Sequence, residues 1–433
     1  MNETLSSLET EYGFAALDSN GERLDVGLVA GIFNKVLERR YDWLPAADGG
    51  CFLGNGARLY WDAGAHPEYA APECAGHPKL LVAHVRAGHV IMSRIAREVE
   101  RHRSVAQVRI WRGNVDYASL TSWGCHESYL TQRPAHVLSP DLVPHLVSRV
   151  IYGGPGGWSP RAQGLFSLSP RLEMFDMLES SDTMHARGII NSRDEPHAKA
   201  HRRLHLICRD NVTSQLADLL SIGITRLVVA LADMGLRPAQ GLELEDPVAA
   251  LHTFCRDPAC VATVATTKGP MSAVEIQRAY LEQIDSFAER LPLWGAEMVG
   301  LCSSILDKLA DDPRLLFGQL DWPTKLMIFE RNQPAERSRQ LMLDVLLSDL
   351  EQPLLTDLNR STESEVVDAE EIEAAVSHAP EMTRAKVRGD VVKRFSGRGD
   401  VCCNWSEVCM RDQRLVLDEP FETRERWRAV RSR

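Results

Sequence analysis

The sequence lacks the short motifs that mark several common classes of enzyme and metal-binding protein. Its ten cysteines are scattered over 433 residues without a paired CxxC array, which disfavours a zinc module and predicts mostly small buried thiols. It contains neither a GxxxxGKS/T phosphate loop nor a GxSxG nucleophile elbow, so a P-loop nucleotide site and nucleophilic serine catalysis are disfavoured. It also contains no internal repeat and no low-complexity tract.

Long apolar runs and an excess of positive charge are missing as well. No hydrophobic stretch approaches the roughly 18 residues of a membrane span. The acidic N-terminus, MNETLSSLETEYG, has neither the basic nor the apolar region of a signal peptide. The net charge of −11 argues against a general nucleic-acid binder, whose phosphate contacts need a basic face. We therefore expect a cytoplasmic enzyme or binding protein with no membrane and no nucleic-acid partner.

The most informative stretch that is present spans residues 187–205, RGIINSRDEPHAKAHRRLH. It places four arginines, two acidic residues and three histidines around the short apolar strand 188–191. Charge of both signs at this density is costly beside an apolar strand unless a polyanion or a metal organises it. Together with ETEYG at 9–13 and NGARLYWD at 55–62, the stretch indicates an ATP and magnesium site on an open antiparallel sheet.

Two predicted strands each carry polar side chains on one face. Glu9 and Glu11 are two residues apart in one strand, and Arg58, Tyr60 and Asp62 share a face of another by the same period-two rule. Carboxylate oxygens suit Mg²⁺, which keeps part of its coordination shell for phosphate. Taken alone, the two glutamates also fit solvated edge charges, and Asp62 fits a turn cap as well as a general base.

Further polar residues have both a functional and a structural interpretation. Glu68 and Glu73 lie in HPEYAAPEC and either complete a metal shell or are ordinary loop carboxylates. His126 lies in a glycine-bearing segment, and such a residue is more often a hydrogen-bonded histidine than a ligand. His205 follows Arg203 by two residues and shares its strand face, so a pairing with phosphate and metal is available to them.

Other residues of the chain have competing interpretations too. Arg187, Arg193 and Arg202 either contact an anion or form surface ion pairs with their acidic neighbours, each weak when exposed. Trp405 would ordinarily fill a core, although an indole can also stack on an adenine ring. The segment 153–157, GGPGG, resembles a phosphate loop without its lysine and fits a flexible lid or a plain loop equally well.

Hydrophobic periodicity predicts the regular elements and the division of the chain. A chain of this length is expected to form one large and one small unit. We place the catalytic domain at 1–362 and a small C-terminal α/β domain at 363–433, with Trp405 in a short strand and a polar connection over 351–371. The main predicted helices span residues 26–39 (capped by Asp25), 79–102, 142–152 and 212–234, followed by a mostly helical region at 239–325.

Long strings of the sequence resemble one enzyme family. They are similar to the Pup ligases and the Pup deamidase/depupylase enzymes, which are relatives of glutamine synthetase and the γ-glutamyl-cysteine ligases. The strings are ETEYG (9–13), NGARLYWD (55–62), HPEYAAPEC (66–74), GCHESYL (124–130), RGIINSRDEPHA (187–198) and RRLHLI (202–207), with LDWPTKL (320–326), TRAKVRG (383–389) and Asn404-Trp405 extending the match almost to the C-terminus.

The resemblance implies an α+β fold, in which a curved antiparallel sheet cradle is backed by helices and a small C-terminal domain lies against it. ATP (or ADP plus phosphate) would lie at one end of the cradle with Mg²⁺. The C-terminal glutamate of Pup, or of a Pup-like small protein modifier, would lie at the γ-phosphate. By matching position, the resemblance implies Asp62 as the base, Glu9, Tyr60 and Glu68 as magnesium ligands, Arg58 and Trp405 as nucleotide contacts, and Glu11, Glu73, His126, Arg193, Arg203 and His205 as further phosphate and metal contacts.

The same resemblance implies a reaction between the modifier and lysine-bearing target proteins, in either direction. Details such as PEYAAPEC and Asn114-Val115-Asp116 favour the depupylase/deamidase branch, which hydrolyses an amide or isopeptide bond. Ligation through an acyl phosphate is the alternative, because only about 40 residues separate Gly13 from Asn55, where the depupylase branch carries a long insertion. A catalytically inactive nucleotide-binding relative is a third interpretation. Arg209 stands where the family has a glycine.

Overall fold

The computed structural model describes residues 4–194, 198–332, 337–351, 355, 362 and 364–429. Residues 195–197 of the motif RGIINSRDEPHA lie outside the described residues, as does much of the polar connection predicted at 351–371.

The predicted N-terminal cap of the first helix is confirmed, since the Asp25 side chain accepts a hydrogen bond from the Leu28 amide.

The described part of the chain contains these regular elements, numbered in chain order. The strands are β1 (Leu5–Glu11), β2 (Gly13–Leu17), β3 (Trp43–Pro45), β4 (Cys51–Leu53), β5 (Arg58–Trp61), β6 (Pro67–Ala70), β7 (Cys74–Ala75), β8 (Gln107–Trp111), β9 (Val115–Asp116), β10 (Thr121–Ser122), β11 (Cys125–Thr131), β12 (Gly157–Trp158), β13 (Phe166–Ser167), β14 (Met177–Ser180), β15 (Gly188–Asn191), β16 (Arg202–Leu206), β17 (Thr263–Thr266), β18 (Gly269–Ser272), β19 (Val401–Cys403), β20 (Glu407–Met410), β21 (Gln413–Val416) and β22 (Trp427–Ala429). The α-helices are α1 (Val26–Arg40), α2 (Lys79–Val99), α3 (Ala135–Ser148), α4 (Val150–Gly153), α5 (Gln215–Asp233), α6 (Pro247–Cys255), α7 (Ala273–Ser286), α8 (Gly295–Asp311), α9 (Asp321–Arg331), α10 (Arg337–Ser348), α11 (Ala369–Ser377) and α12 (Arg384–Phe395).

The central feature is one large sheet in the order β14-β15-β16-β11-β1-β6-β5-β4-β3, with β7 also pairing with β1. Its strand pairs are antiparallel except for β14 and β15, which run parallel. The predicted α+β class, with a large antiparallel sheet backed by helices and a small C-terminal unit, is confirmed. The strands that carry ETEYG, NGARLYWD, HPEYA, GCHESYL and RRLHLI are all members of this sheet.

Strand β1 shows how the sequence gives this sheet one polar and one apolar face. Leu8 and Thr10 are 2% exposed, whereas Glu9 and Glu11 between and beside them are half-buried. Successive side chains of a strand point to opposite faces, so the two glutamates share the face away from the core. The other face of β1 packs on α2, and α5 packs on β11. The polar face is therefore left open for a ligand.

Helix α5 is largely apolar and is buried on nearly all sides because it lies inside the protein. It is long and apolar enough to cross a membrane by length and composition, but 94% of its most apolar window is buried in the molecule. Such a helix is the usual centre of a core packed from several sides.

A chain of buried charges lies behind the sheet. Glu127 of β11 accepts hydrogen bonds from Arg149, with Nη1 2.9 Å from Oε2, and from Arg209. Arg209 also donates to Asp218 of α5, and Arg86 of α2 donates to the same carboxylate at 2.5 Å. All five side chains are buried. Buried charges are tolerated when each is paired and hydrogen-bonded, as these are, so the network holds β11, α2 and α5 in one relative position.

The C-terminal unit consists of α12 and the four-stranded antiparallel sheet β19-β20-β21-β22. Its small hydrophobic core includes Val391, Val401 and Leu415, and it is shared with Leu44 and Phe52 of β3 and β4. The edge of the large sheet therefore completes the core of the small unit. The proposed boundary between 362 and 363 stays a prediction.

The glycine-rich segment at 153–157 is a plain packed connection. Gly154 to Gly157 are buried, and a Cβ atom added at Gly156 would meet the Trp322 Cα at 2.8 Å. Gly156 also has a positive φ of 69°, a backbone conformation that residues other than glycine rarely adopt. Close packing and backbone conformation thus explain the glycines, and the lid interpretation is wrong.

Candidate functional site

Strand register brings the predicted polar residues together on the open face of the large sheet. In one row, Arg58 of β5 pairs with Ala70, Ala70 pairs with Glu9, and Glu9 pairs with His126. Residues that pair directly across strands point to the same face. The next row, two residues further along the strands, contains Tyr60 of β5, Glu68 of β6 and Glu11 of β1. A third row on the other side contains Ser7, Ser128, His205 and Asn191.

Glu9 is the centre of this face. Its Oε1 accepts a hydrogen bond from Arg203 Nη2 at 2.8 Å, and its Oε2 lies 3.5 Å from His126 Nδ1 and 3.9 Å from His205 Nε2. Burial alone would raise the pKa of Glu9, but Arg203, His126 and His205 together lower it below its usual range. One ligand atom from each of Glu9, His126 and His205 lies within 4.8 Å of the other two. This spacing is compatible with a shared metal cation.

The buried His205 imidazole gives a direct test of whether a charged ligand fits here. Its Nε2 atom is buried without a hydrogen-bond partner among the described residues. Burial lowers the pKa of His205 well below its usual range, and Arg203 lowers it further. A neutral imidazole nitrogen is a good metal ligand or phosphate partner, and a buried polar atom without a partner is uncommon. The donor set therefore fits a metal–phosphate ligand.

Glu68 and Tyr60 form the oxygen-rich part of the face. The Glu68 carboxyl is 5% exposed and pairs in register with both Tyr60 and Glu11. Burial raises the pKa of Glu68 well above its usual range, and the carboxylates of Glu9 and Glu11 raise it further. Burial also raises the pKa of the Tyr60 phenol. Several carboxyl groups this close together repel each other until a cation joins them, which is the arrangement that Mg²⁺ prefers.

Asp62 lies just beyond Tyr60, at the end of β5. Its Oδ1 accepts a hydrogen bond from the His66 amide at 2.6 Å, and its Oδ2 lies 3.3 Å from His66 Nδ1. Burial raises the pKa of Asp62, but the hydrogen bonds from His66 outweigh it and the net pKa is lowered. Glu11, Asp62 and His66 form a second group whose ligand atoms all lie within 4.8 Å of one another. Asp62 is thus fixed in position, ionised and on the same face as Glu9.

Trp405 joins the site from the C-terminal unit. Together with Glu9, Arg203 and Arg384 it lines a small pocket at the end of the sheet face. Its indole packs edge-on against Phe52, with ring centroids 5.0 Å apart. The predicted short strand at Trp405 is wrong, because the residue lies in the turn between β19 and β20. The Asn404 side chain fixes that turn by accepting hydrogen bonds from two following amides, a conformation that competes with a strand.

Arg58 adjoins Trp405 through the same phenylalanine. The Arg58 guanidinium lies 5.9 Å from the Phe52 ring centroid and 4.5 Å from that of Tyr60. It donates to Asp48 at 2.9 Å and to the Gly49 carbonyl at 2.8 Å. A positive charge therefore lies between the oxygen-rich row and the pocket at Trp405, where a nucleotide phosphate would need it.

Glu73 has partners other than the metal-site residues and is reassigned. Its carboxylate accepts hydrogen bonds from Arg384 Nε at 2.8 Å and from both η nitrogens of Arg388. The two guanidinium groups lower the pKa of Glu73 to about 2 against the effect of burial. Because the two arginines occupy both of its oxygens, Glu73 serves to hold α12, and the C-terminal unit with Trp405, against the sheet. The role of Glu73 is therefore structural, and the prediction that it is a metal ligand is wrong.

The remaining predicted contact and three additional residues complete the face. Arg193 is exposed and follows β15, close enough that its charge contributes to lowering the pKa of His205. Sequence reasoning missed His66, Ser128 and Asn191. Ser128 accepts a hydrogen bond from Arg203 Nε at 2.9 Å, and the fully buried Asn191 Nδ2 has no hydrogen-bond partner among the described residues. The period-two rule applied to GCHESYL and RGIINS would have placed the last two on this face.

Comparison with known proteins gives consistent matches over nearly the whole chain. The Pup-ligase protein family model matches residues 5–409. The chain is 35% identical to a Pup–protein ligase of Acidimicrobium ferrooxidans, over 96% of this chain and 95% of the relative. It is 33% identical to a Pup–protein ligase of Actinosynnema mirum, over 97% of each.

Solved structures give the same result. The crystal structure of the complex between Pup and its ligase PafA is similar with a TM-score of 0.83 and 28% identity, covering 97% of this chain and 90% of that one. The structure of the Pup ligase PafA in complex with ADP is similar with a TM-score of 0.77 and 27% identity, covering 92% of this chain and 91% of that one.

Proposed function

The chain belongs to the Pup ligase family, and we propose that it joins the C-terminal glutamate side chain of Pup, or of a Pup-like modifier, to lysine amines of target proteins, using ATP and Mg²⁺. One observation carries the proposal. The Arg203–Glu9 pair, which suits a phosphate and its metal, shares one sheet face with Asp62, a fixed and ionised base. A site that activates a carboxylate and then deprotonates an amine needs both parts side by side.

The residues at the nucleotide end divide the binding between them. Trp405 offers an aromatic surface for the adenine, while Arg58 and Arg203 place positive charge where the phosphates would lie. Glu9, Tyr60 and Glu68 would hold magnesium, with His126 and His205 at the same cluster. Bound there, Mg²⁺ supplies positive charge that stabilises the transferring phosphoryl group.

The chemistry then follows from the weakness of a carboxylate as an acceptor. An oxygen of the modifier's γ-carboxylate attacks the γ-phosphorus of ATP, the bond to ADP breaks, and an acyl phosphate forms. The lysine amine attacks the acyl carbon, and the bond to phosphate breaks. Asp62 takes the proton that the amine loses, and Arg203 stabilises the negative charge that develops on the phosphoryl oxygens.

We assign the direction of the reaction as ligation, whereas the sequence motifs favoured hydrolysis. The named relatives are ligases, which favours the alternative that the motifs ranked second. The fold agrees, because the segment between Gly13 and Asn55 is filled by β2, α1, β3 and β4, which all pack into the main body. An inactive relative would have no physical need for the assembled Glu9, Asp62 and Glu68.

A two-way assay tests the proposal. The protein is incubated with ATP, Mg²⁺, a modifier that ends in glutamate and a lysine-bearing protein, and separately with a preformed conjugate. We expect conjugate to appear in the first reaction, with one ADP released for each bond formed. Loss of conjugate in the second reaction, with none formed in the first, would restore the hydrolase assignment. Tight ATP binding without turnover in either would identify an inactive relative.

Replacing Glu9 with glutamine should weaken the binding of magnesium most directly. The amide keeps the shape but loses the charge that Arg203 and the two histidines surround. We expect the Mg²⁺ concentration for half-maximal ATP turnover to rise by about 10- to 100-fold. Calorimetric titration of Mg·ATP measures the same loss as weaker binding. The exposed Glu22 provides the matched control, and an equal effect of Glu22→Gln would argue against a specific ligand role.

Replacing Trp405 tests the adenine contact. Trp405→Ala should raise the Kd for ATP by about 2- to 10-fold, because an aromatic stacking contact contributes roughly 0.5–1.5 kcal/mol beyond its buried area. Trp405→Phe should restore part of the affinity. Fluorescence competition with a labelled nucleotide gives the Kd, and thermal unfolding checks that the C-terminal unit stays attached. An unchanged Kd in the alanine variant would assign Trp405 to the core alone.

A further inference from the structure

Arg187 is a buried cation that has no acidic partner in the part of the chain that the structure describes. The residue is 8% exposed, and no carboxylate of the described residues lies within 4 Å of its guanidinium. Among the described residues its guanidinium makes one hydrogen bond, from Nε to the Thr183 carbonyl at 3.1 Å, and none from the η nitrogens. Burial, and to a smaller extent the charge of Arg171, lower the pKa of Arg187 to about 10. Burying an unpaired guanidinium is costly, so an anion is expected to join it in the working protein.

The position of Arg187 is fixed by its loop. Asp182 accepts hydrogen bonds from the amides of Met184 at 2.7 Å and of Ala186 at 3.2 Å, and it forms an isolated β-bridge with Arg187. Arg187 directly precedes β15, in which Asn191 pairs with His205. Four residues along an extended chain bring a side chain back to the same face. Arg187 thus lies at the edge of the open face, at the far end of β15 from Asn191.

Its electrostatic surroundings separate Arg187 from the phosphate-binding residues. The acidic groups that act on Arg187 are Glu11 and Asp182. Arg203, in contrast, pairs with Glu9 and acts on His205. The strand register agrees: Asn191, His205, Ser128 and Ser7 form one row, and Arg187 and Glu11 each lie four residues from that row toward the same end of the cradle. Arg187 would therefore serve an anion other than the phosphates.

A glycine lets two side chains of the face lie close together at this end. Gly124 lies beside Glu11, and its amide donates to Glu11 Oε2 at 2.6 Å. A Cβ atom at position 124 would lie 2.5 Å from Glu11 Oε1 and 2.8 Å from His126 Nε2. Any larger residue would therefore collide with Glu11 and His126. The glycine allows these two side chains to lie together next to the base.

The proposed substrate carries two carboxyl groups on one residue. The side-chain carboxylate of the terminal glutamate is activated at the Glu9–Arg203 end, while its α-carboxylate stays ionised throughout the reaction. We propose that Arg187 binds this α-carboxylate and thereby selects the free C-terminus of the modifier over internal glutamates. This inference rests on the proposed function, and it adds Arg187 as the residue that recognises the C-terminal carboxylate of the modifier. A guanidinium is well suited to the task because its planar fork matches a carboxylate in two hydrogen bonds.

The experiment compares two modifiers that differ only at the α-carboxyl group. One ends in glutamate, and the other ends in glutamate α-carboxamide, which keeps the γ-carboxylate. With the wild-type protein we expect amidation to raise the KM for the modifier by about 10- to 100-fold. Arg187→Gln should show a similarly raised KM with the acid and no difference between the two modifiers. Arg187→Lys should recover part of the preference.

Two controls make the result decisive. Arg202→Gln removes an exposed arginine that pairs with Asp194, and it should keep the wild-type preference. Direct binding of both modifiers, measured by calorimetry without ATP, tests the contact independently of turnover, so failure of ligation and failure of the Arg187 contact are distinguishable. A wild-type protein that binds both modifiers equally, or an Arg187→Gln variant that keeps the preference, would overturn the inference.

Discussion

Replacing Asp62 with asparagine should lower the rate of conjugate formation by about 10²- to 10⁴-fold, the usual contribution of a general base. Asparagine keeps the size and the hydrogen bond from the His66 amide but cannot take the proton that the lysine amine must lose. ATP binding should stay close to the wild-type value, because Asp62 lies on the Glu11 and His66 side of the face and away from Trp405. Single-turnover conjugation and calorimetric ATP titration measure the two quantities separately.

The matched control for Asp62 is Asp18, whose carboxylate accepts hydrogen bonds from the backbone amides of Asn20 and Glu22 in an exposed turn. Asp18→Asn should conjugate at the wild-type rate. If Asp62→Asn retained more than about a tenth of the wild-type rate, well above the range expected for loss of a base, then another group would have to accept the proton.

Replacing Glu73 with glutamine should have the largest effect on stability. The change leaves the guanidinium groups of Arg384 and Arg388 buried without a counter-charge, and breaking one partner of a buried ion pair costs about 3–5 kcal/mol. The denaturant midpoint should fall accordingly, with the C-terminal unit released first. Because Trp405 belongs to that unit, weaker ATP binding should accompany the loss.

An exposed ion pair provides the comparison for Glu73. Glu373 pairs with Arg94 on the surface, with its side chain 55% exposed. Glu373→Gln should change the free energy of unfolding by no more than about 1 kcal/mol. Equal midpoints for the two variants would show that the Glu73 cluster does not attach the C-terminal unit.

The strand faces could be predicted because their signal is local. Alternation alone places Glu9 with Glu11, and it places Arg58 with Tyr60 and Asp62, whatever the rest of the chain does. Apolar periodicity likewise gave the start of α1 and α2 correctly. What alternation cannot give is which strands become neighbours. The family resemblance supplied that part, and the sheet order confirms a large antiparallel sheet.

The errors arose where distant parts of the chain decide the role of a residue. Glu73 looks like a ligand in sequence, and only the packing of α12, more than 300 residues later, shows its two arginine partners. Trp405 was placed in a strand, whereas it lies in the turn that the Asn404 side chain fixes. The glycines at 153–157 suggested mobility, whereas close contacts with distant residues, such as that of Gly156 with Trp322, require them. Trp322 belongs to α9, which lies far from this segment in the sequence. The sequence alone therefore does not show that the segment is packed.

The buried charges behind the sheet have a consequence for how the enzyme can move. Glu127 points backward between His126 and Ser128, which point into the cradle. Sliding β11 by one residue would exchange the two faces, burying an imidazole among arginines and removing the carboxylate that pairs with Arg149. The buried ion pairs therefore fix the register of β11 in the sheet. Shape changes during turnover must then come from the loops around the cradle, while the strands themselves stay locked.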